Sequence, residues 1–171
     1  MDIITRITRQ RGKMQIAISE QETIVVPLSL FRERPLTEGQ PINLEEYDNW
    51  LMVRQYRHAL DRAVACLAAR AHSKHEIEQK LLRVGYRPCT VEMVLYKLER
   101  EHLLNDADFA RQWVEARSGR KLGRSRIAQE LRRKGIDADE AEEALSAIGE
   151  DAQLADAIAL AEKAAARAKS D

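Results

Sequence analysis

Shifted against itself by 50 positions, this chain repeats. Residues 76–98 fall on 126–148, so that Ile77 meets Ile127, Gln79 meets Gln129, Leu81 meets Leu131 and Arg83 meets Arg133. Gly85 meets Gly135, Glu92 meets Glu142 and Leu95 meets Leu145. After a small loop adjustment the preceding segments match too, with Ala63, Ala69 and Arg70 on Ala110, Ala116 and Arg117. A period of this length marks stacked supersecondary units, each too small to bury its apolar face alone.

Apolar spacing resolves each unit into three helices, over about 57–71, 74–84 and 90–102 in the first and about 106–118, 124–134 and 138–148 in the second. Ser73 followed by Glu76 has the form of a capping box, and Asp106 and Asp137 suit helix starts. Gly85 and Gly135 stand where a helix ends in the left-handed conformation, which glycine adopts without a Cβ penalty. Leu81, Leu95, Leu131 and Leu145 are the expected core positions, and Trp113 joins them. Asp151 to Lys169 has the character of another leading helix, so an incomplete third unit is expected.

The N-terminal part reads differently. Ile3 to Thr8, Met14 to Ile18 and Thr23 to Val26 are short β-branched or alternating runs separated by turn-like residues, which predicts a small β-meander. Pro35, Gly39 and Pro41 mark a connector. Asn43 with Glu46 opens a long helix as a second capping box, with Leu51, Tyr56, Leu60, Val64 and Leu67 as its apolar face. The expected fold is mainly α: tandem three-helix repeats resembling helix-turn-helix units, preceded by the meander. The divisions are 1–42, a β-rich extension with connector; 43–105, the first repeat with a long leading helix; 106–150, the second repeat; and 151–171, the start of a third.

Function classes can be excluded by composition and spacing. Aromatics make up 5% of the 171 residues and charged residues 33%. His58, His72, His75 and His102 lack the spacing of a metal site and are expected in solvated or rim positions. Cys66 and Cys89 fit buried free thiols. Gly119 and Gly123 have no phosphate-loop context. Asp106 and Asp108 suit a helix start better than a catalytic pair. No catalytic set, cofactor or metal is expected. The N-terminus lacks a secretory pattern and no run approaches the roughly 20 apolar residues of a membrane span, so a cytoplasmic location is expected.

Lys and Arg together equal Asp and Glu at 28 each, yet the distribution is uneven. Arg111, Arg117, Arg120, Lys121, Arg124, Arg126, Arg132, Arg133 and Lys134 form a dense basic segment, followed by acidic residues from Asp137 to Asp156. Arg126 and Arg133 share a helix face, with Lys134 one position further round. Such a segment can neutralise phosphates or a carboxylate-rich protein surface. Equally, it can be a solvated face balanced by the acidic helix that follows.

Leu103-Leu104-Asn105-Asp106, with Phe109-Ala110, Trp113-Val114 and Arg117, resembles the central motif of the RecX family. Gly123-Arg124-Ser125-Arg126-Ile127, with Glu130-Leu131 and Lys134-Gly135-Ile136, resembles the segment that follows it there. Arg70, Ser73, Glu76, Leu81 and Gly85-Tyr86 fit the first unit, and the likeness covers about residues 57–165. The β-rich extension is similar to one carried by a subset of the family. The resemblance implies tandem three-helix repeats in a curved array. It implies a regulator that binds RecA or the RecA–single-stranded DNA filament, inhibiting its ATPase, recombinase and co-protease activities, within DNA repair, DNA recombination and the SOS response. RecA and its filament are the implied partners, with weak DNA binding besides, and a monomer is expected. Two other readings remain open: a direct nucleic-acid-binding helical module using the same basic segment, and a helical scaffold without a specific partner.

Overall fold

A computed structural model describes residues 2–19, 22–119, 122–146, 157–158 and 160–162. The chain forms two compact units, Met1–Leu104 and Asn105–Asp171.

The first unit opens with strands β1 (Asp2–Gln10), β2 (Lys13–Ile18) and β3 (Glu22–Pro27), followed by helix α1 (Leu28–Glu33) and a short strand β4 (Pro41–Ile42). The sheet order is β3-β2-β1-β4, all antiparallel. The expected meander is therefore present, and the connector adds an edge strand. Alternation along β2 puts Met14, Ile16 and Ile18 on the buried face, as the two-residue period of a strand demands. Arg9 faces Met14 and Gln10 faces Lys13, leaving Arg11-Gly12 as a two-residue turn with both φ angles positive, at 25° and 89°. That is the turn whose twist suits a hairpin.

Helix α2 (Leu44–Ala69) is continuous through the span expected for the first leading helix. Asn43 caps it by accepting from the Glu46 N–H, but the Glu46 carboxylate turns to Arg34 at 2.7 Å instead of closing a capping box. The buried face of α2 differs from the expected one. Tyr47, Leu51, Gln55, Ala59 and Ala63 are buried, whereas Tyr56, Leu60 and Leu67 only flank the core and Val64 is 42% exposed. Hydrophobicity alone misplaced the stripe because two of its members are small alanines and one is polar. The Gln55 amide oxygen accepts from the Arg87 N–H at 3.0 Å, which satisfies a buried backbone donor.

Helices α3 (Lys74–Val84) and α4 (Pro88–Arg100) complete the first unit. Ser73 and Glu76 form the reciprocal capping box expected of them. Ile4, Ile16 and Val26 of the sheet, Leu51 of α2, Leu81 of α3 and Leu98 of α4 belong to one apolar core. Gly85 ends α3 at φ 101°, and a Cβ there would lie 3.1 Å from Lys13 Cβ and 3.2 Å from Val25 Cγ1. The glycine thus serves both the left-handed turn and the close approach of the sheet.

Two expectations fail here. Cys89 is exposed and Cys66 only half-buried, because Cys89 lies off the face that buries Thr90, Val91, Val94 and Leu95. His72 is buried at 4% exposure instead of lying at the rim. Its Nδ1 meets the Arg70 carbonyl at 2.9 Å and its Nε2 meets Lys80 Nζ at 2.9 Å, so both ring nitrogens are satisfied inside.

The second unit contains α5 (Asp106–Ser118), α6 (Arg124–Arg133) and α7 (Ala138–Ser146). Its core holds Phe109, Val114, Ile127, Leu131, Ile136 and Leu145. The repeat is visible in detail: Leu81, Leu95, Leu131 and Leu145 are all buried, and Gly85 and Gly135 both have positive φ. The α5 cap is Asn105, one residue before the expected Asp106; its side chain accepts from the Asp108 N–H at 3.0 Å. Asp106 stands instead in the first turn, where the positive end of the helix dipole favours a carboxylate. Of the expected third leading helix, residues 157, 158 and 160–162 are helical, and the rest of 151–171 lies outside the described residues.

Candidate functional site

Helix α6 carries four of the nine residues of the basic segment, Arg124, Arg126, Arg132 and Arg133. Ile127 and Leu131 are spaced by four and buried, which fixes the helix rotation. At the helical pitch, Arg126, Gln129, Arg132 and Arg133 then share an arc of about 120° on the opposite side, and all four are exposed. Arg132 and Arg133 lie in the last turn, where cations complement the negative end of the dipole.

The other described residues of the segment have partners within the second unit. Arg111 pairs with Asp108 three residues earlier on α5. Arg124 pairs with Glu142 on α7. Arg117 Nε lies 2.8 Å from the Glu130 carboxylate, and its guanidinium stands 4.3 Å from the Trp113 ring centre. Lys134 Nζ lies 4.1 Å from the same ring centre and 5.5 Å from that of Phe109. Among the described residues, Arg126, Arg132 and Arg133 have no acidic partner. Arg120 and Lys121 lie outside the described residues.

The structure thus separates the segment into a bound set and an outward set. Two members of the bound set, Arg117 and Lys134, lie against Trp113, which is half-buried beside the core instead of within it. Its ring stacks on Phe109 with centres 5.8 Å apart, and its Nε1–H donates to Glu130 at 3.0 Å. Sequence reasoning missed Glu130, although the spacing of Glu130 to Lys134 and of Trp113 to Arg117 already placed each pair on one helix side.

An acidic group lies elsewhere in this unit. Burial raises the Glu140 carboxyl above its ordinary range, and the charges of Asp106 and Asp137 push in the same direction. The acidic residues of α7 therefore partly neutralise α6 through Arg124 but leave its outward face positive. Among the described residues no group of three His, Cys, Asp or Glu side chains converges as a metal site, and no helix is long and apolar enough to cross a membrane.

Residues 59–98 match the first three-helix domain of RecX, and residues 105–145 match the second. The chain belongs to the RecX family. It is 44% identical over 90 residues to the regulatory protein RecX of Prosthecochloris aestuarii, covering 52% of this chain and 60% of that one. It is 37% identical over 100 residues to regulatory protein RecX of Amycolatopsis mediterranei, covering 58% and 57%. The matched stretches thus span less than two-thirds of these two relatives. A longer alignment, with regulatory protein RecX of Clostridioides difficile, is 29% identical over 175 residues and covers 100% of this chain and 82% of that one. A crystal structure of a regulatory protein RecX has the same fold, with a TM-score of 0.67 at 23% identity over 100% of this chain and 86% of the other. That of RecX from Lactobacillus salivarius gives 0.67 at 27% identity, covering 70% and 78%. The RecX relatives are named as regulatory proteins, not as enzymes.

Proposed function

We propose that this RecX-family chain binds RecA or the RecA–single-stranded DNA filament in the cytoplasm and inhibits its recombinase, ATPase and co-protease activities. The observation that carries the reading is the outward face of α6. Three arginines there have no acidic partner among the described residues, in a chain of zero net charge. Arginine forks suit carboxylates and phosphates alike, so a filament of protein and DNA offers matching chemistry on both components. The basic residues tied to Glu130, Glu142 and Asp108 support the shape of the unit, and the free ones do the binding. Arg120 and Lys121 are included in the binding set on their charge.

The test is co-sedimentation with pre-formed RecA filaments, scored beside RecA ATPase activity. The parent chain pellets with the filament and lowers ATP turnover. Reversing Arg126, Arg132 and Arg133 to Glu weakens both effects while leaving the fold intact, since surface changes usually alter stability by under about 0.5 kcal/mol. Full inhibition by the triple variant makes this face a solvated one.

A second reading is favoured by the place of α6 as the middle helix of a three-helix unit with its basic face outward: a direct nucleic-acid-binding module. That reading requires tight binding to naked DNA, with a salt slope of roughly 0.7–0.9 per phosphate neutralised. A filament regulator binds naked DNA weakly and the filament strongly.

A further inference from the structure

The first unit contains a basic cleft that the sequence did not single out. It has a volume of about 510 Å³ and lies where the β1–β2 turn, α1, α2 and α3 meet. Arg11 of the turn, Arg32 of α1, Arg62 of α2, and Lys80 and Arg83 of α3 line it. No carboxylate among the described residues does so, and none of the five cations forms an ion pair there. Lys80 donates to the buried His72 ring, which burial holds in its neutral form, so the ammonium charge is not cancelled.

The cleft is built from fixed parts. Arg11 has φ 25°, a region that a residue with a side chain rarely adopts. The Leu28 N–H donates to the Gly12 carbonyl at 2.9 Å, which ties that turn to the start of α1. Leu30 and Leu81, on the inner sides of α1 and α3, lie in the same core. Five cations gathered without counter-charge repel one another, and a bound polyanion relieves that cost.

The lining also limits the ligand. Its apolar members are Leu28, Val84 and Cys66, and among the described residues no aromatic ring lines it to stack a base. A second cleft of about 530 Å³ shares Arg62, Cys66 and Lys80 with the first and continues past Ala69 to His72. Two clefts in succession suit a chain of charges better than a single point anion.

We propose that this cleft is a binding site for clustered phosphate groups, held by Arg11, Arg32, Arg62, Lys80 and Arg83. A nucleic-acid strand contacted through its phosphodiesters and a free oligophosphate share that chemistry. The site uses none of the α6 arginines, and its test needs no RecA, so failure here leaves the regulatory reading standing.

The experiment measures binding of the full chain to a fluorescent oligodeoxythymidine strand, to inorganic tripolyphosphate and to an oligo-glutamate peptide. The variant R11E/R62E/R83E should weaken phosphate binding tenfold or more. Loss of three strand contacts lowers the salt slope by about 2. The charge-keeping R11K/R62K/R83K variant should retain most of the binding, which separates lost charge from lost fold. Strand binding that depends on these residues, with weak tripolyphosphate binding, assigns the site to nucleic acid. Equally dependent, tighter tripolyphosphate binding assigns it to a small phosphorylated ligand. Phosphate binding unchanged in the reversed variant overturns the proposal, as does preference for oligo-glutamate over both phosphate probes.

Discussion

Trp113 of α5 donates its indole N–H to the Glu130 carboxylate of α6 at 3.0 Å, and the same carboxylate oxygen holds Arg117 at 2.8 Å. One carboxylate thus joins two helices of the second unit and positions a cation over an aromatic face. Its neighbour Lys134 approaches that ring at 4.1 Å. The arrangement absorbs two of the positive charges that sequence alone assigns to a binding surface.

Removing Glu130 should therefore unsettle more than one contact. Glu130→Ala is expected to destabilise the second unit by about 1–3 kcal/mol, because it leaves a half-buried donor and a cation unpaired. Trp113→Phe keeps the stack and loses the hydrogen bond, at about 1 kcal/mol. The double variant should cost less than the sum, since both changes remove the same bond. Urea denaturation of the four proteins checks the cycle; strict additivity counts against the coupling.

Leu81 and Leu131 occupy equivalent places and are 1% and 0% exposed. Truncating either to Ala should cost about 2–5 kcal/mol through lost burial and the cavity left behind. Denaturation midpoints unchanged from the parent would refute their equivalence as core positions.

Gly85 and Gly12 permit a cleaner comparison. Both have positive φ, but an added Cβ meets Lys13 and Val25 at Gly85 and nothing within 4 Å at Gly12. Gly12→Ala should cost about 1–2 kcal/mol from backbone conformation alone. Gly85→Ala should cost more, because the sheet must also give way. Equal losses in thermal or chemical unfolding would mean that the sheet accommodates the methyl group freely.

His72 gives the first unit a pH dependence of definite sign. Burial is the main reason its imidazolium is disfavoured; the hydrogen bond to the Arg70 carbonyl opposes this, and the charges of Arg70 and Lys80 add to it. The folded pKa lies below the ordinary value of about 6.5, so the unfolded chain binds a proton more readily. The contribution is fully present above pH of about 6.5 and is lost as pH falls toward and through the folded pKa. His72→Gln should flatten stability over that interval, measured by urea midpoints from neutral pH downward. An unchanged slope in the variant would place the titration elsewhere.

Much of the helical plan is legible from the repeat. The limits of α3 and α5 agree with apolar spacing, and the positive φ of Gly85 and Gly135 follows from their place after the last helical turn. What spacing could not supply was the rotation of α2, whose buried face includes Ala59, Ala63 and Gln55. Small and polar residues carry little hydrophobic signal, and their burial depends on a neighbouring helix and on a bond to Arg87. The basic segment was visible as composition, but composition does not tell Arg117, held by Glu130, from Arg126, which faces outward. Ion pairing between helices is set by packing, and the cleft around Arg11 and Arg83 is still less accessible to local reading, because it unites residues far apart in the chain.

The core shared by the sheet and the first three-helix repeat has a consequence for dissection of the protein. Val26 and Ile16 are 0% exposed because helices cover them, and Leu51 and Leu81 are covered in the same interior. A fragment cut just before α2 would keep every helix of that repeat and lose part of its inner wall. Newly wetted leucines on such a fragment would favour self-association, so loss of activity after an N-terminal deletion would report damage to the scaffold before it reported loss of a contact. Point changes on the outer edge of the sheet, such as Arg6→Ala or Thr8→Ala, are the sounder way to ask what the N-terminal region touches.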